Sequence, residues 1–313
     1  MLRSRVISQS RLEQALNKAA DYIANRQCRN GGFCYYRYAD LEESNLHDTY
    51  YAVAACRLLQ RQVPNLDRVV EYLRSMQTAG RQSSYLYYYA FTAQRLGDLG
   101  LLNQTFLDKV AALQLRLPPA GRNVLLSEWL EDSLRIIRLQ KTFASGLEAG
   151  AITDFVHGLL RRGGVGATPN LRDTYLALRI LAELDSLTGL DEVTAFIERL
   201  QLPSLGFKYT EGSVSDPDID TLYAGVFSCT LLGLDIHYAG DILHTVLSRQ
   251  RLHGGFARSS DSLGNLNTHC KVLRIIQQLG VNPALISRIL LENQRVRLIV
   301  FDPQAEEIVK WIP

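Results

Sequence analysis

One turn recurs along the chain and dictates how the segments around it must fold. Gln27-x-x-x-Gly31-Gly32-Phe33 and Gln250-x-x-x-Gly254-Gly255-Phe256 carry it near opposite ends of the sequence. Gln201-x-x-x-Leu205-Gly206-Phe207 differs at one position, and Gly163-Gly164-Val165 is a copy without the glutamine. Paired glycines after a helix supply the left-handed residues that a helix stop and a chain reversal need. Each turn leads through a polar loop into an apolar helix. These helices open Asp48-Thr49-Tyr50, Asp173-Thr174-Tyr175, Asp220-Thr221-Leu222-Tyr223 and Asn267-Thr268-His269. An Asp directly before an apolar helix reads as its N-cap. Weaker copies fill the gap, with helices opening near Leu86 and Asp132. The openings at 48, 86, 132, 173, 220 and 267 lie about 38 to 47 residues apart, room for two helices and two connections.

Repeated helix pairs can form an open superhelix or a closed ring. The second helix of each unit, for example YLALRILAEL or AGVFSCTLLGL, is apolar nearly all round and must be covered on every side. The first, for example NLDRVVEYLRSMQ or LDEVTAFIERLQ, is amphipathic and suits an outer layer. The pattern predicts an all-α fold, an (α/α)6 barrel with six inner and six outer helices. It predicts one domain over residues 1–313, with repeats over about 10–280 and an extension over about 281–313. The extension reads as a helix (ALISRILLENQ), an extended piece (VRLIVFDP) and a polar turn ending in Trp311.

With 47% hydrophobic and 21% charged residues the chain can bury a large core, and a net charge of +2 gives no bulk drive towards nucleic acid or a membrane surface. No apolar run approaches the roughly 20 residues a transmembrane helix needs, and the N-terminus lacks a signal-peptide core. Five cysteines without a C-x-x-C pair read as reduced, buried thiols, which points to a cytoplasmic protein. Only six of the 34 basic residues are Lys, and Arg is the better residue for bidentate phosphate contacts.

A helix, then Gln-x-x-x-Gly-Gly-Phe, a polar loop and Asp-Thr opening an apolar helix is a specific combination. It resembles the repeat shared by squalene and oxidosqualene cyclases, class II diterpene cyclases and protein prenyltransferase β subunits. The resemblance covers residues 10–280 and implies an isoprenoid substrate. In prenyltransferase β subunits an Asp, a Cys two residues on and a His on another inner helix bind zinc. The matching positions are Asp220, Leu222 and Asn267, so zinc is not expected. Class II cyclases carry Asp-x-Asp-Asp or Asp-x-Asp-Thr-Thr, which Asp218-Ile219-Asp220-Thr221 resembles. That resemblance implies a terpene cyclase in which Asp220 is the proton donor. A neighbouring carboxylate raises a carboxyl pKa, a role open to Asp218 and Asp216.

Tyrosine faces stabilise carbocations, and Tyr50, Tyr51, Tyr88 and Tyr223 are candidates to line the substrate, with others among Tyr35, Tyr36, Tyr38 and Tyr85–Tyr89. His269 is the candidate lumen histidine, and Arg172 and Arg258 are candidate diphosphate contacts. Arg37 at the same rim is a weaker one. His47, beside Asp48, reads as a base, a diphosphate contact or a plain loop residue. The acidic loop also reads as a cap with solvated carboxylates, or as a site for a hard cation such as Mg²⁺. Class II sites usually lie between two helical domains, so a second domain from a partner chain or a homodimer is a further expectation. Three functions remain open: acid-initiated cyclisation of a polyprenyl substrate, zinc-independent transfer from a prenyl diphosphate, and a non-catalytic ring that binds a lipid or peptide.

Overall fold

Each glutamine–glycine turn closes through a short backbone bridge. Gln27 pairs with Phe33, Gln201 with Phe207 and Gln250 with Phe256, all antiparallel. The three phenylalanines are fully buried and plug the gap between helix layers. The computed structural model describes residues 9–35, 41–77, 80–118, 126–144, 146–161, 163–280, 298–302 and 307–312.

Among the described residues twelve α-helices alternate between two layers. In chain order they are α1 (Gln9–Ala24), α2 (Leu46–Leu58), α3 (Leu66–Met76), α4 (Ser83–Leu96), α5 (Gln104–Ala111) and α6 (Leu126–Phe143). They continue with α7 (Gly150–Leu160), α8 (Leu171–Glu183), α9 (Asp191–Leu200), α10 (Ile219–Leu232), α11 (Ala239–Ser248) and α12 (Leu266–Gln278). The even-numbered helices form the inner ring. Each packs on the next, and α12 packs back on α2, so the ring closes. Each odd-numbered helix lies against the inner helix that follows it. The layering follows side-chain patterning. Helix α10 buries nearly every residue from Ile219 to Cys229, whereas α3 buries only Val69, Tyr72 and Leu73.

The conserved geometry of the turn has a stapling function. The Gln27 side-chain amide donates to the Pro64 carbonyl (2.7 Å), just ahead of α3, and Gln201 donates to Asp235 O (2.9 Å), ahead of α11. Gln250 donates to Ala15 O in α1 (2.8 Å), so the last unit holds the first as each unit holds its successor. Gly254 makes this approach feasible. Its φ is +91°, and a Cβ there would lie 2.1 Å from the Lys18 carbonyl oxygen.

The inner helices start earlier than the sequence indicates because the caps lie upstream of the Asp-Thr pairs. Asn45, Asn170, Asp218 and Asn265 are the N-caps, accepting from the backbone N–H groups of Asp48, Asp173, Thr221 and Thr268. The expectation that Asp48, Asp173 and Asp220 cap these helices is therefore corrected. Asp48 and Asp173 instead accept from the side-chain amides of Asn45 (2.7 Å) and Asn170 (3.0 Å).

The expected helix ALISRILLENQ lies outside the described residues. Leu298–Asp302 is extended, as expected, and pairs antiparallel with Glu307–Ile312. Trp311 thus sits in a strand rather than a polar turn, because the second half of the extension pairs with the first. All five cysteines are buried. Among the described residues no helix is long and apolar enough to cross a membrane.

The Gly254→Ala variant should lose more than about 2 kcal/mol of stability, since both backbone conformation and space oppose a Cβ. Gly97→Ala is the control. It shares a positive φ (+76°) but meets nothing within 4 Å, and should cost about 1 kcal/mol. Urea denaturation of both variants measures the difference, and equal losses would contradict this account of the closure.

Candidate functional site

The inner ring encloses a cavity of about 380 Å³. Helices α2, α4, α8, α10 and α12 contribute from their N-terminal halves, down to Arg274 in α12, and α6 from its middle. One helix position recurs in the wall. The second residue after the N-cap is His47 in α2, Arg172 in α8, Asp220 in α10 and Asn267 in α12, and all four line the cavity. A side chain there is not consumed by capping. The Asp-Thr pairs hide this correspondence. The cap lies three residues before Asp48 and Asp173 but only two before Asp220. One residue fewer rotates Asp220 by about 100° about the helix axis, from the capping face to the lumen.

Tyrosines form the wall. Tyr50, Tyr51, Tyr87, Tyr88, Tyr175 and Tyr223 line the cavity and contact one another. Tyr50 packs on Tyr51, Tyr87 and Tyr88 at centroid distances of 4.9 to 5.7 Å, and Tyr175 meets Tyr223 edge-on at 5.7 Å. Within the run 85–89 the helix period sorts the rings. Tyr85 and Tyr89 turn away from the cavity and bond to Met76 O and Leu101 O.

Deeper in the cavity, buried arginines hold the phenols. Arg95 donates to the Tyr50 hydroxyl (3.2 Å), Arg138 to that of Tyr87, and Arg274 to that of Tyr223 (3.4 Å). Arg138 also pairs with Glu183 (3.3 Å).

Charge concentrates at the mouth. Asp220 Oδ1 lies 2.6 Å from Lys271 Nζ, and Asp220 Oδ2 lies 3.0 Å from Arg258 Nε. Arg258 also pairs with Asp218 (2.7 Å). On the facing helices, Glu131 bridges Arg172 (2.5 Å) and Arg135 (3.0 Å). Six cationic side chains line the cavity (Arg135, Arg138, Arg172, Arg258, Lys271 and Arg274) against two carboxylates.

This arrangement works against the protonated Asp220 that the proton-donor expectation needs. Burial alone would raise its carboxyl pKa, but Lys271, Arg258 and Arg172 outweigh that effect and the net shift is downward. The contacts to Lys271 and Arg258 favour its ionised form. The two residues expected to keep it protonated do not do so. Asp218 caps α10, accepting from Thr221 N and Oγ1 (both 2.8 Å), and pairs with Arg258. Asp216 is exposed, and neither Asp216 nor Asp218 lines the cavity.

Of the other candidates, Tyr50, Tyr51, Tyr88, Tyr223, Arg172 and Arg258 line the cavity. His269 does not. It is fully buried behind the wall, stacked on Tyr22 (5.3 Å) and packed against Phe256 (5.3 Å). Neither ring nitrogen has a partner, and burial pushes its pKa down to about 3, so it is a neutral packing residue. His253 is exposed in its turn and stacks on Tyr22. Tyr35 is 43% exposed. Tyr36, Arg37 and Tyr38 lie outside the described residues.

The fold and the turn now meet an independent comparison. The model of the prenyltransferase alpha-alpha toroid domain family matches residues 2–99 and 123–275. The chain belongs to this family. It is the family shared by squalene cyclase and protein prenyltransferase β subunits. No curated protein matches the chain.

The zinc of the toroid family's prenyltransferases does not fit the residues present. Leu222 is apolar and fully buried, Asn267 offers no imidazole, and both oxygens of Asp220 are engaged by cations. Among the described residues no three His, Cys, Asp or Glu side chains converge as metal ligands would.

Sequence reasoning missed Arg135, Arg138, Lys271, Arg274, Glu131 and Tyr175 as a set, whereas Tyr87 lies in the run it had pointed to. A signal was present. Arg138 in LRIIRLQ, Arg274 in KVLRIIQ and Arg95 in FTAQRLG each interrupt an apolar inner helix. A buried Arg needs partners, and the cavity phenols provide them.

Lys271→Met should raise the Asp220 carboxyl pKa, because the strongest opposing charge is gone and burial then dominates. A carbon-13 NMR titration of the Asp220 carboxyl reads this directly. An unchanged pKa would show that Lys271 does not hold the carboxylate.

Proposed function

We propose that this chain is a zinc-independent enzyme that acts on a prenyl diphosphate inside the toroid lumen. The observation that carries the reading is the group of cationic side chains, Arg172, Arg258 and Lys271, lining a tyrosine-walled cavity. Isoprenoid chemistry is the province of the toroid family. A neutral hydrocarbon such as squalene offers those cations no charge to contact, while a diphosphate does.

Three physical features favour an anion at this place. Arg172, Arg258 and Lys271 present charged donors, and charge-assisted hydrogen bonds are the strong ones. The N-terminal turns of inner helices point into the cavity, so their dipoles add partial positive charge. The 380 Å³ volume falls within the usual range of about 300 to 1,000 Å³ for small-molecule sites.

In this reading the diphosphate sits at the rim and the isoprenoid chain lies along Tyr50, Tyr87, Tyr88, Tyr175 and Tyr223. The rim cations stabilise the diphosphate as the allylic C–O bond breaks and its electron pair leaves with the phosphate oxygen. The tyrosine faces meet the positive charge that develops on carbon. Asp220 is a positioning residue: its carboxylate orients Lys271 and Arg258 towards the ligand. Acid-initiated cyclisation loses its support, because an ionised Asp220 has no proton to give.

Calorimetric titration with farnesyl diphosphate and farnesol tests the reading. Wild type should bind the diphosphate and bind farnesol far more weakly. Arg172→Gln and Arg258→Gln should each weaken diphosphate binding about 10- to 100-fold, the worth of one charge-assisted contact. Binding of farnesol should not change. Equal affinity for alcohol and diphosphate, or variants that bind like wild type, would overturn the assignment.

A further inference from the structure

His47 occupies in α2 the position that Asp220 occupies in α10, the second residue after the cap. Its ring lines the cavity and its side chain is 43% exposed, which places it at the mouth. Three contacts fix its orientation. Nδ1 lies 3.4 Å from Asp48 Oδ1, while Asp48 itself is buried and anchored by the Asn45 side-chain amide (2.7 Å). The ring packs edge-on against Tyr51 (4.9 Å) and Tyr88 (5.0 Å).

The Asp48 carboxylate 3.4 Å from Nδ1 favours a proton on that nitrogen, which would leave Nε2 as the basic atom. Asp173 has the same amide anchor, but its neighbour at the cavity position is Arg172, which binds Glu131. Only in the first repeat does the anchored carboxylate stand beside an imidazole. The charged and titratable groups around the ring are Asp48 and Tyr51 on α2, Tyr88 on α4 and, behind Tyr88, Arg135 of α6.

We propose that His47, positioned by Asp48, is the general base for a hydroxyl acceptor that enters at the mouth and attacks the prenyl diphosphate. This inference rests on the prenyl diphosphate reading and adds the class of the second substrate. As the acceptor oxygen forms a bond to the allylic carbon, its proton passes to His47 Nε2. The carbon–oxygen bond to diphosphate breaks, and its electron pair leaves with the diphosphate. A neutral hydroxyl is a weak nucleophile and gains most from a base, typically about 10²- to 10⁴-fold. The base stands at the solvent-facing mouth, where an acceptor can reach it.

The test uses the full chain with farnesyl diphosphate, and with water and ethanol as acceptors, followed as prenyl product and diphosphate between about pH 5 and pH 9. Wild type should transfer to both acceptors and lose rate on the acid side of the profile. His47→Gln should lower kcat at least about 10-fold, flatten that acid limb and leave KM for farnesyl diphosphate unchanged. Added imidazole should restore part of the rate to His47→Gly, which a purely structural role would not allow. Asp48→Asn should keep the cavity and lower kcat less than His47→Gln does. Wild-type turnover with His47→Gln unchanged in rate and profile, or altered in KM alone, removes His47 from the base role and leaves the prenyl diphosphate reading standing. Diphosphate binding without transfer to either hydroxyl overturns the acceptor class. A wild type that binds no prenyl diphosphate overturns both readings together.

Discussion

A ring of six helices exists only if its sixth unit meets the first as though it were a seventh neighbour. The Gln250 amide on Ala15 O achieves this by repeating the contact that Gln27 makes to Pro64 and Gln201 makes to Asp235. Gly254 permits it, because a side chain there would strike the Lys18 carbonyl. Tyr22 of α1 then reaches across to Gly264 O (2.9 Å) and covers His269 of α12. Without closure the apolar faces of α2 and α12 would meet water, and the lumen they bound would not be a cavity.

Closure gives the N-terminal turns of the inner helices one shared mouth, and the capping register decides which side chains enter it. Asn45, Asn170, Asp218 and Asn265 tie each helix start to its loop, so the residue two further on is free to project inward. The four residues so placed, His47, Arg172, Asp220 and Asn267, differ in chemistry although their backbone setting is the same. Function can therefore diverge at that one position while the caps and staples keep the ring. Around Asp220 the divergence runs towards positive charge. Lys271 and Arg258 oppose the rise in carboxyl pKa that burial alone would cause, which fits the proposed recognition of an anion.

The architecture was legible from the sequence because it rests on local, repeated signals. Glycine pairs that require positive φ, glutamines at a fixed distance and two classes of helix surface recur along the chain. Five of the six tyrosine and arginine candidates now found in the wall were legible for the same reason, since they lie near the starts of inner helices, while Arg258 comes from the loop before α12. The role of Asp220 was not. Its charge state depends on Lys271, 51 residues away along the chain, and on Arg258 in another loop. The Asp-Thr pairs also aligned the repeats one residue out of register at α10 and α12, which concealed both the true cap at Asp218 and the kinship of His47 with Asp220. His269 looked inward by sequence count, but the stacking partners Tyr22 and Phe256 come from a distant helix and a turn.

The central claim is that the mouth of the toroid recognises an anionic head while the tyrosine wall takes an isoprenoid chain. A crystal structure with farnesyl thiodiphosphate, which resists cleavage, tests it most directly. The account predicts phosphate oxygens within about 3 Å of Arg172, Arg258 and Lys271, with the chain running inward past Tyr175 and Tyr223. A ligand seated outside the lumen, or one whose apolar tail lies at the mouth with its phosphates elsewhere, would contradict it.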